Sequence, residues 1–386
     1  MGSKKPGNQK NLKKSPRRRR YAVFQHVLKG KIIIIYGPRR VGKTTIAKEI
    51  LSKYGNPDGY FNCEEPDLNR ALTNKTSTEL KKIIGERKLV VLDEAQKVKN
   101  IGLTLKLLVD NFPEIQVIAT GSSSFDLANE TAEPLTGRTF EFKLFPFSLN
   151  ELNQKYSQLE MGRLLETLLR FGTYPEVVQA DSGFVGELIS DMTRNYLYKD
   201  ILEFERLKNP DLILKLLQAL ALQLGSGVAY TELANLLGVD KVTIERYIQI
   251  LEKAFVIFRL TPLSRNLRKE LTKTRKIYFC DLGVRNSLIN NFNEMNLRTD
   301  VGAIWENFCI LERLKLNSAK KLLPNVYFWR TYDRKEIDYL EEEGGKFKVF
   351  EFKWKKNKYK FPKEFVENYP GSEFKFINRD NFWELL

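Results

Sequence analysis

Apolar and polar positions follow two rhythms along this chain. Over the first 150 residues, short apolar runs recur at 32–36, 60–63, 89–92, 115–120 and 140–145. Runs of that length without polar alternation predict strands buried on both faces. Between them, 44–53, 77–84 and 103–109 place apolar residues three and four apart, which predicts helices. Strand and helix in alternation predict a parallel sheet with helices on both faces, occupying residues 21–150. Ligands of such sheets sit beyond the carboxyl ends of the strands.

After residue 150 the helical rhythm dominates. Segments 164–171, 185–198 and 211–224 each carry a helical apolar stripe, and 151–210 reads as a helical lid, linker or plain scaffold. Residues 211–280 are more specific. A short helix at 231–237 and a Leu237-Gly238-Val239 turn precede a second helix at 241–254, with Val242, Ile244, Tyr247, Ile248 and Leu251 as its expected core side. Extended runs at 255–260 and 276–280 complete the order of a winged helix-turn-helix. The outer face offers Lys241, Thr243, Glu245, Arg246 and Gln249; between the strands Arg265, Arg268, Lys269, Lys273, Arg275 and Lys276 outnumber Glu270. DNA contact and a simple interdomain spacer both fit that pattern. Residues 281–386 predict an α/β unit: a helix at 303–315, then strands at 326–329, 336–340 and 348–354, the last two joined at Gly344-Gly345.

The chemistry begins where the first predicted strand meets the first helix. Residues 37–44 read Gly-Pro-Arg-Arg-Val-Gly-Lys-Thr, a full match to the phosphate-binding P-loop pattern. Backbone N–H groups of such a turn wrap phosphate oxygens, and the helix N-terminus adds partial positive charge. Gly37, Arg40, Val41, Gly42, Lys43, Thr44 and Thr45 are therefore expected around the phosphates of ATP. Lys43 is expected to reach the β- and γ-phosphates, and the Thr44 hydroxyl to hold Mg2+. Asp93 closes another apolar run, as a Mg2+-organising carboxylate does, and Glu94 is placed to orient or deprotonate an attacking water. Thr120 or Ser122 could contact the γ-phosphate or that water. An acidic turn with a capping role, and a serine-rich helix cap, are the plainer readings of these two spots.

Further motifs carry a resemblance. Leu-Asp-Glu-Ala-Gln at 92–96, Thr-Gly-Ser-Ser-Ser at 120–124 and Leu-Thr-Gly-Arg at 135–138 join the phosphate loop, followed by Pro-Phe-Ser at 146–148 and Phe-Gly-Thr-Tyr-Pro-Glu at 171–176. With these the chain resembles the AAA-type P-loop ATPases of bacteria and archaea that carry a C-terminal DUF4143-type region. Thr173 stands where that family usually has a second glycine. The resemblance covers nearly everything after residue 20. It implies a P-loop fold with an additional strand, ATP and Mg2+ as ligands, and Arg138 as an arginine finger or nucleotide sensor. Many such ATPases place the finger across a subunit boundary, so it also implies a homo-oligomer, possibly a ring.

A second constellation lies near the C-terminus. Residues two apart in a strand share a face, so Glu351 and Lys353 point the same way, and Asp338 on the neighbouring strand can face them. Two carboxylates on adjacent strands make an oxygen site for Mg2+ or Mn2+, and a lysine beside them can activate water and stabilise phosphate charge. This Asp…Glu-x-Lys arrangement is the signature of the restriction-endonuclease-like nucleases, whose fold the family's C-terminal region resembles. By that resemblance Asp338 and Glu351 are metal ligands, Lys353 the catalytic lysine and Glu306 an accessory metal-binding acid. Residues 346–363 hold eight lysines against Glu351 alone, which suits approach of a nucleic acid. A cross-strand ion pair would use the same residues. Three functions follow: an ATPase that engages DNA and drives a nuclease, an ATP-operated switch with an inactive nuclease-like module, or an ATPase with a protein-interaction platform.

Composition narrows the setting. The 386 residues carry a formal charge of +16, of which nine charges fall in residues 1–20, a segment of Lys, Arg, Pro, Gly, Ser and Asn without acids that reads as a disordered basic tail. The tail could attract nucleic acid or simply aid solubility. It lacks the apolar stretch of a secretory signal. Cys63, Cys280 and Cys309 are too scattered for a disulfide framework or zinc site, which points to a reducing, cytoplasmic location. No apolar run is long enough to span a bilayer, so no membrane partner is expected.

Overall fold

A computed structural model describes residues 23–122, 135–181, 183–205 (backbone only over 196–205), 209–263, 275–331, 333, 335–355 and 358–386. The basic tail, Ser123, Ser124 and the loop residues Arg265, Arg268, Lys269, Glu270 and Lys273 lie outside the described residues.

The apolar runs of the first 150 residues form strands β1 (Ile32–Tyr36), β2 (Tyr60–Asn62), β3 (Leu89–Asp93), β4 (Gln116–Gly121) and β5 (Thr139–Lys143). They make one wholly parallel sheet in the order β2-β3-β4-β1-β5. The additional strand, β4, lies between β1 and β3: Ile118 is in register with Ile33 on one side and Val91 on the other. Both faces of the sheet are covered, which is why its strands read as unbroken apolar runs. Ile32, Ile34, Val90, Leu92, Val117 and Ala119 pack on one side against Leu80, Ile84, Leu105 and Leu108. Ile33, Ile35, Val91 and Ile118 pack on the other against Ile46, Ala47, Ile50 and Leu51 of the helix Lys43–Tyr54. Burial of each such isoleucine, valine or leucine stabilises by about 1.5–3 kcal/mol.

The second sheet has seven strands: β6 (Gly227–Val228), β7 (Ile257–Pro262), β8 (Arg275–Phe279), β9 (Asn325–Arg330), β10 (Glu336–Glu343), β11 (Lys346–Phe352) and β12 (Glu373–Ile377), in the order β12-β11-β10-β9-β7-β8-β6. The antiparallel pair β7 and β8 follows the helices Tyr230–Leu237 and Lys241–Lys253. β7 also pairs in parallel with β9, through Thr261 with Tyr327 and Pro262 with Phe328. One sheet therefore runs across residue 280, where the sequence pattern drew a domain boundary.

Four local expectations need correction. Val242 is 72% exposed, while Ile244, Tyr247, Ile248 and Leu251 are buried; Val242 sits in the first helical turn, before the stripe reaches the core. Phe255 has a φ of 53°, and this left-handed residue delays the strand to Ile257. β11 stops at Phe352, so Lys353 follows the strand rather than lying within it. The helix Val185–Glu205 also runs past the expected end at 198.

One long helix, Val301–Lys320, joins the two sheets. Its Trp305 and Phe308 are buried, with Trp305 edge-on to Trp354 at 5.3 Å. Towards its C-terminus, Glu312 and Lys315 are buried and paired at 2.8 Å. Lys315 Nζ donates to the Phe147 carbonyl (2.9 Å) and Thr173 Oγ1 (3.1 Å), and Glu312 accepts from the Leu149 amide (2.6 Å). These bonds fasten the segment after β5 to the helix.

Candidate functional site

β1 ends at Tyr36 and the chain turns at Gly37, whose φ is 151°. A Cβ there would stand 2.0 Å from the Leu144 carbonyl oxygen, so only glycine fits. Arg40 (φ 58°) and Gly42 (φ 93°) are left-handed and fold the loop back to start the helix at Lys43. Gly42 caps that helix without a side-chain bond, which leaves the first amides for another acceptor. Val41 is buried and anchors the loop, Thr45 is exposed on the first helical turn, and Arg40 pairs with Glu176 at 2.9 Å. Lys43 is buried, and its Nζ donates to the Gly37 and Pro38 carbonyls at 3.0 Å each. A phosphate offers that ammonium a stronger, charge-assisted partner.

Asp93 is the hub of the pocket. Thr44 Oγ1 donates to both its oxygens, at 2.9 and 3.1 Å, and the hydroxyls of Tyr60 and Thr120 donate to it as well. The Tyr60 phenol is pushed well above its usual range by burial and by its bond to Asp93, so it remains a donor. Glu94 follows in a left-handed conformation (φ 52°, ψ 44°), with its amide bonded to Thr120 Oγ1 at 3.2 Å. Its carboxylate is held by Gln96, which also reaches Ser122. The donor set, hydroxyl and carboxylate oxygens beside a buried lysine, fits a Mg2+-nucleotide.

Arg138 lies elsewhere. It precedes β5, whose Thr139 pairs with Ile32 at the amino edge of the sheet, opposite the phosphate loop. Its guanidinium binds Asp110 at 2.7 and 3.1 Å. That position sets Arg138 away from the phosphate loop of its own chain.

The second constellation is assembled around Asp338. Glu306 from the helix Val301–Lys320 and Glu336 and Asp338 from β10 bring carboxylate oxygens within 4.8 Å of one another. The β10–β9 register shifts between Ile337 and Leu340, an irregularity that re-aims the side chains there. On one side the buried Lys276 of β8 donates to Glu306 at 2.8 Å and pairs with Glu336. Tyr278 also donates to Glu306. On the other side Lys353 Nζ lies 2.6 Å from Glu351 and 3.1 Å from Asp338. The Phe352 amide adds a bond to Asp338 at 2.9 Å. Burial first, and then the Asp338 charge, pushes the carboxyls of Glu306 and Glu351 up to about 7. Burial pulls Lys276 and Lys353 down, but the surrounding acids outweigh it and raise both.

Comparisons with known proteins divide the chain in three. Residues 29–153 match an AAA domain family, residues 162–295 a domain of unknown function (DUF8612), and residues 301–379 a domain of unknown function (DUF4143). The chain carries an AAA domain and, C-terminal to it, a DUF4143 domain. An uncharacterized protein of Mycobacterium tuberculosis is 27% identical over 327 residues, spanning 83% of this chain and 70% of the relative. One from Methanocaldococcus jannaschii is 28% identical over 335 residues, spanning 81% and 73%. A Walker-type ATPase of Pyrococcus abyssi resembles 70% of this chain and 94% of its own, at 16% identity and a TM-score of 0.47. The AAA domain with its complete phosphate loop is an ATP-binding unit.

Sequence reasoning missed four residues. Tyr60 of the AAA domain gave no signal as a single polar position, and Gln96 stood only as the last residue of the Leu-Asp-Glu-Ala-Gln motif without a role of its own; only the pairing of β2 with β3 brings Tyr60 to Asp93. Glu336 was readable, since it shares a strand face with Asp338 two residues on. Lys276 was not, because it comes to the DUF4143 acids from the DUF8612 segment through the shared sheet. Among the described residues, no helix is long and apolar enough to cross a membrane, and the three cysteines are buried and unpaired as disulfides.

Proposed function

We propose that this chain is a Mg2+-dependent ATP hydrolase whose nucleotide cycle operates its C-terminal region. One observation carries the reading: Lys43, Thr44 and Asp93 converge at the carboxyl edge of the parallel sheet with Glu94 beside them. Lys43 and the loop amides bind the β- and γ-phosphates. Thr44 and Asp93 hold Mg2+, which supplies neutralising charge on the phosphate oxygens when bound. Glu94 takes the proton of the attacking water, and Thr120 and Ser122 contact the γ-phosphate or that water. Arg138 serves as a finger for a neighbouring subunit. Calorimetry with ATP and a phosphate-release assay test the core of this. Lys43→Ala is expected to lose affinity and turnover together. Glu94→Gln is expected to keep affinity and lose turnover by about 100-fold or more. Wild-type protein without measurable ATP affinity in the presence of Mg2+ rejects the reading. For Arg138, light scattering with nucleotide is the test; a persistent monomer removes the role.

A second reading adds DNA engagement and metal-dependent cleavage by a restriction-endonuclease-like C-terminal domain. Its support is Lys353 bridging Asp338 and Glu351 on adjacent strands, with Lys346, Lys348, Lys355, Lys358, Lys360 and Lys363 exposed nearby. The oxygens of Glu306, Asp338 and Glu351 suit Mg2+ or Mn2+ once the lysines withdraw. With the lysines kept as permanent counter-ions, the same cluster belongs to an ATP-operated DNA- or protein-binding switch. Incubation with labelled DNA and either metal decides. Cleavage lost in Lys353→Ala but kept in Lys43→Ala supports the nuclease, and intact DNA supports the switch.

A further inference from the structure

Gln96 lies in the short turn Ala95–Lys97 directly after Glu94. Its Nε2 is 2.6 Å from Glu94 Oε2 and 3.1 Å from Ser122 Oγ. The amide can take only this orientation, because turning it over would set its oxygen against the carboxylate. Glu94 is thereby fixed at both ends. Its backbone amide is tied through Thr120 to Asp93, and its carboxylate through Gln96 to Ser122 at the end of β4. Gln96 Oε1 is buried and, among the described residues, accepts from no group, which leaves it open to a second donor.

We propose that Gln96 is a positioning residue for ATP hydrolysis: its N–H group aims the Glu94 carboxylate from the tip of β4, and its Oε1 accepts from the attacking water. This rests on the hydrolase reading above. In the step concerned, the water proton passes to Glu94 and the water oxygen bonds to the γ-phosphorus. The bridging oxygen leaves with the electron pair as part of ADP. One carboxylate oxygen stays engaged with Gln96, so the other receives the proton. Because Ser122 shares the same amide, a ligand that reorients Ser122 also loosens or tightens Glu94.

Two variants test this against wild type and Glu94→Gln. Gln96→Ala is expected to keep ATP affinity within about twofold while kcat falls by about 100-fold, the usual effect of a misplaced reacting group. Gln96→Glu keeps the side-chain volume but replaces the N–H donor with a carboxylate set against Glu94, so kcat is expected to fall to a similar extent and by far more than ATP affinity does. Gln96→Glu is isosteric, so its turnover answers the question even where the alanine variant fails to fold. Wild-type kcat in either variant overturns the proposal while an active wild type leaves the hydrolase reading intact. An inactive wild type removes both.

Discussion

Gly37 shows how little freedom the phosphate loop has. Its positive φ and the Leu144 carbonyl 2.0 Å from any added Cβ forbid a side chain. Gly37→Ala is expected to force β1 and the segment after β5 apart. A melt should show a loss of at least about 2 kcal/mol, and calorimetry a loss of ATP affinity. A different constraint acts at Asp300. Its carboxylate binds the buried Arg285 at 2.6 Å and Arg298 at 2.8 and 2.9 Å. Burial pushes Asp300 up, but the two guanidiniums outweigh it and hold the carboxyl down at about 2. Asp300→Asn leaves both arginines without a carboxylate and is expected to cost about 3 kcal/mol at neutral pH. A depressed pKa stabilises above the unfolded value, so this contribution is complete above about pH 4 and fades towards pH 2. Urea titrations at pH 7, 5 and 3 should therefore show wild type and variant converging only in acid. The loop glycine was legible from sequence as part of a motif. The Asp300 cluster was not, since nothing local announces that Arg285 packs against the Ala221 carbonyl.

Elements were legible where local chemistry agrees with packing. The strands of the parallel sheet and the helix Ser77–Ile84 fall within two residues of expectation, the helix because Thr76 and Glu79 form a reciprocal cap. The same device starts the helix Leu149–Leu152, where Ser148 and Glu151 exchange bonds while the Leu149 amide goes to Glu312. Ser148→Ala is expected to lower stability by about 1–2 kcal/mol, read as a shift in the melting midpoint, because its amide partner is buried. The join of β7 to β9 was illegible: pairing between strands more than sixty residues apart leaves no periodic trace. Lys353 was read as a strand residue because alternation continues past Phe352, although its amide turns to the Ile377 carbonyl at 3.1 Å. Its ammonium nonetheless reaches the acids that the Glu-x-Lys spacing predicted.

At the scale of the molecule, the helix Val301–Lys320 belongs to both halves. Glu306 near its start serves the acid cluster, and Glu312 and Lys315 near its end hold the backbone of Phe147 and Leu149. That backbone leads directly from Leu144, whose carbonyl touches Gly37. Thr173, the departure from the family's usual glycine, has a use here, since its hydroxyl accepts from Lys315 at 3.1 Å. Lys315→Met leaves Glu312 buried without its cation and is expected to cost about 3–5 kcal/mol. Limited proteolysis should then cut first between residues 144 and 175, and a cleavage pattern unchanged from wild type would count against the clamp. A chimera built from two relatives by cutting between the ATP-binding portion and the DUF4143 portion would pair one parent's lysine with the other parent's main chain. Functional hybrids should thus be recovered only when residues 144–173 travel with the long helix, whichever parent donates the nucleotide loop.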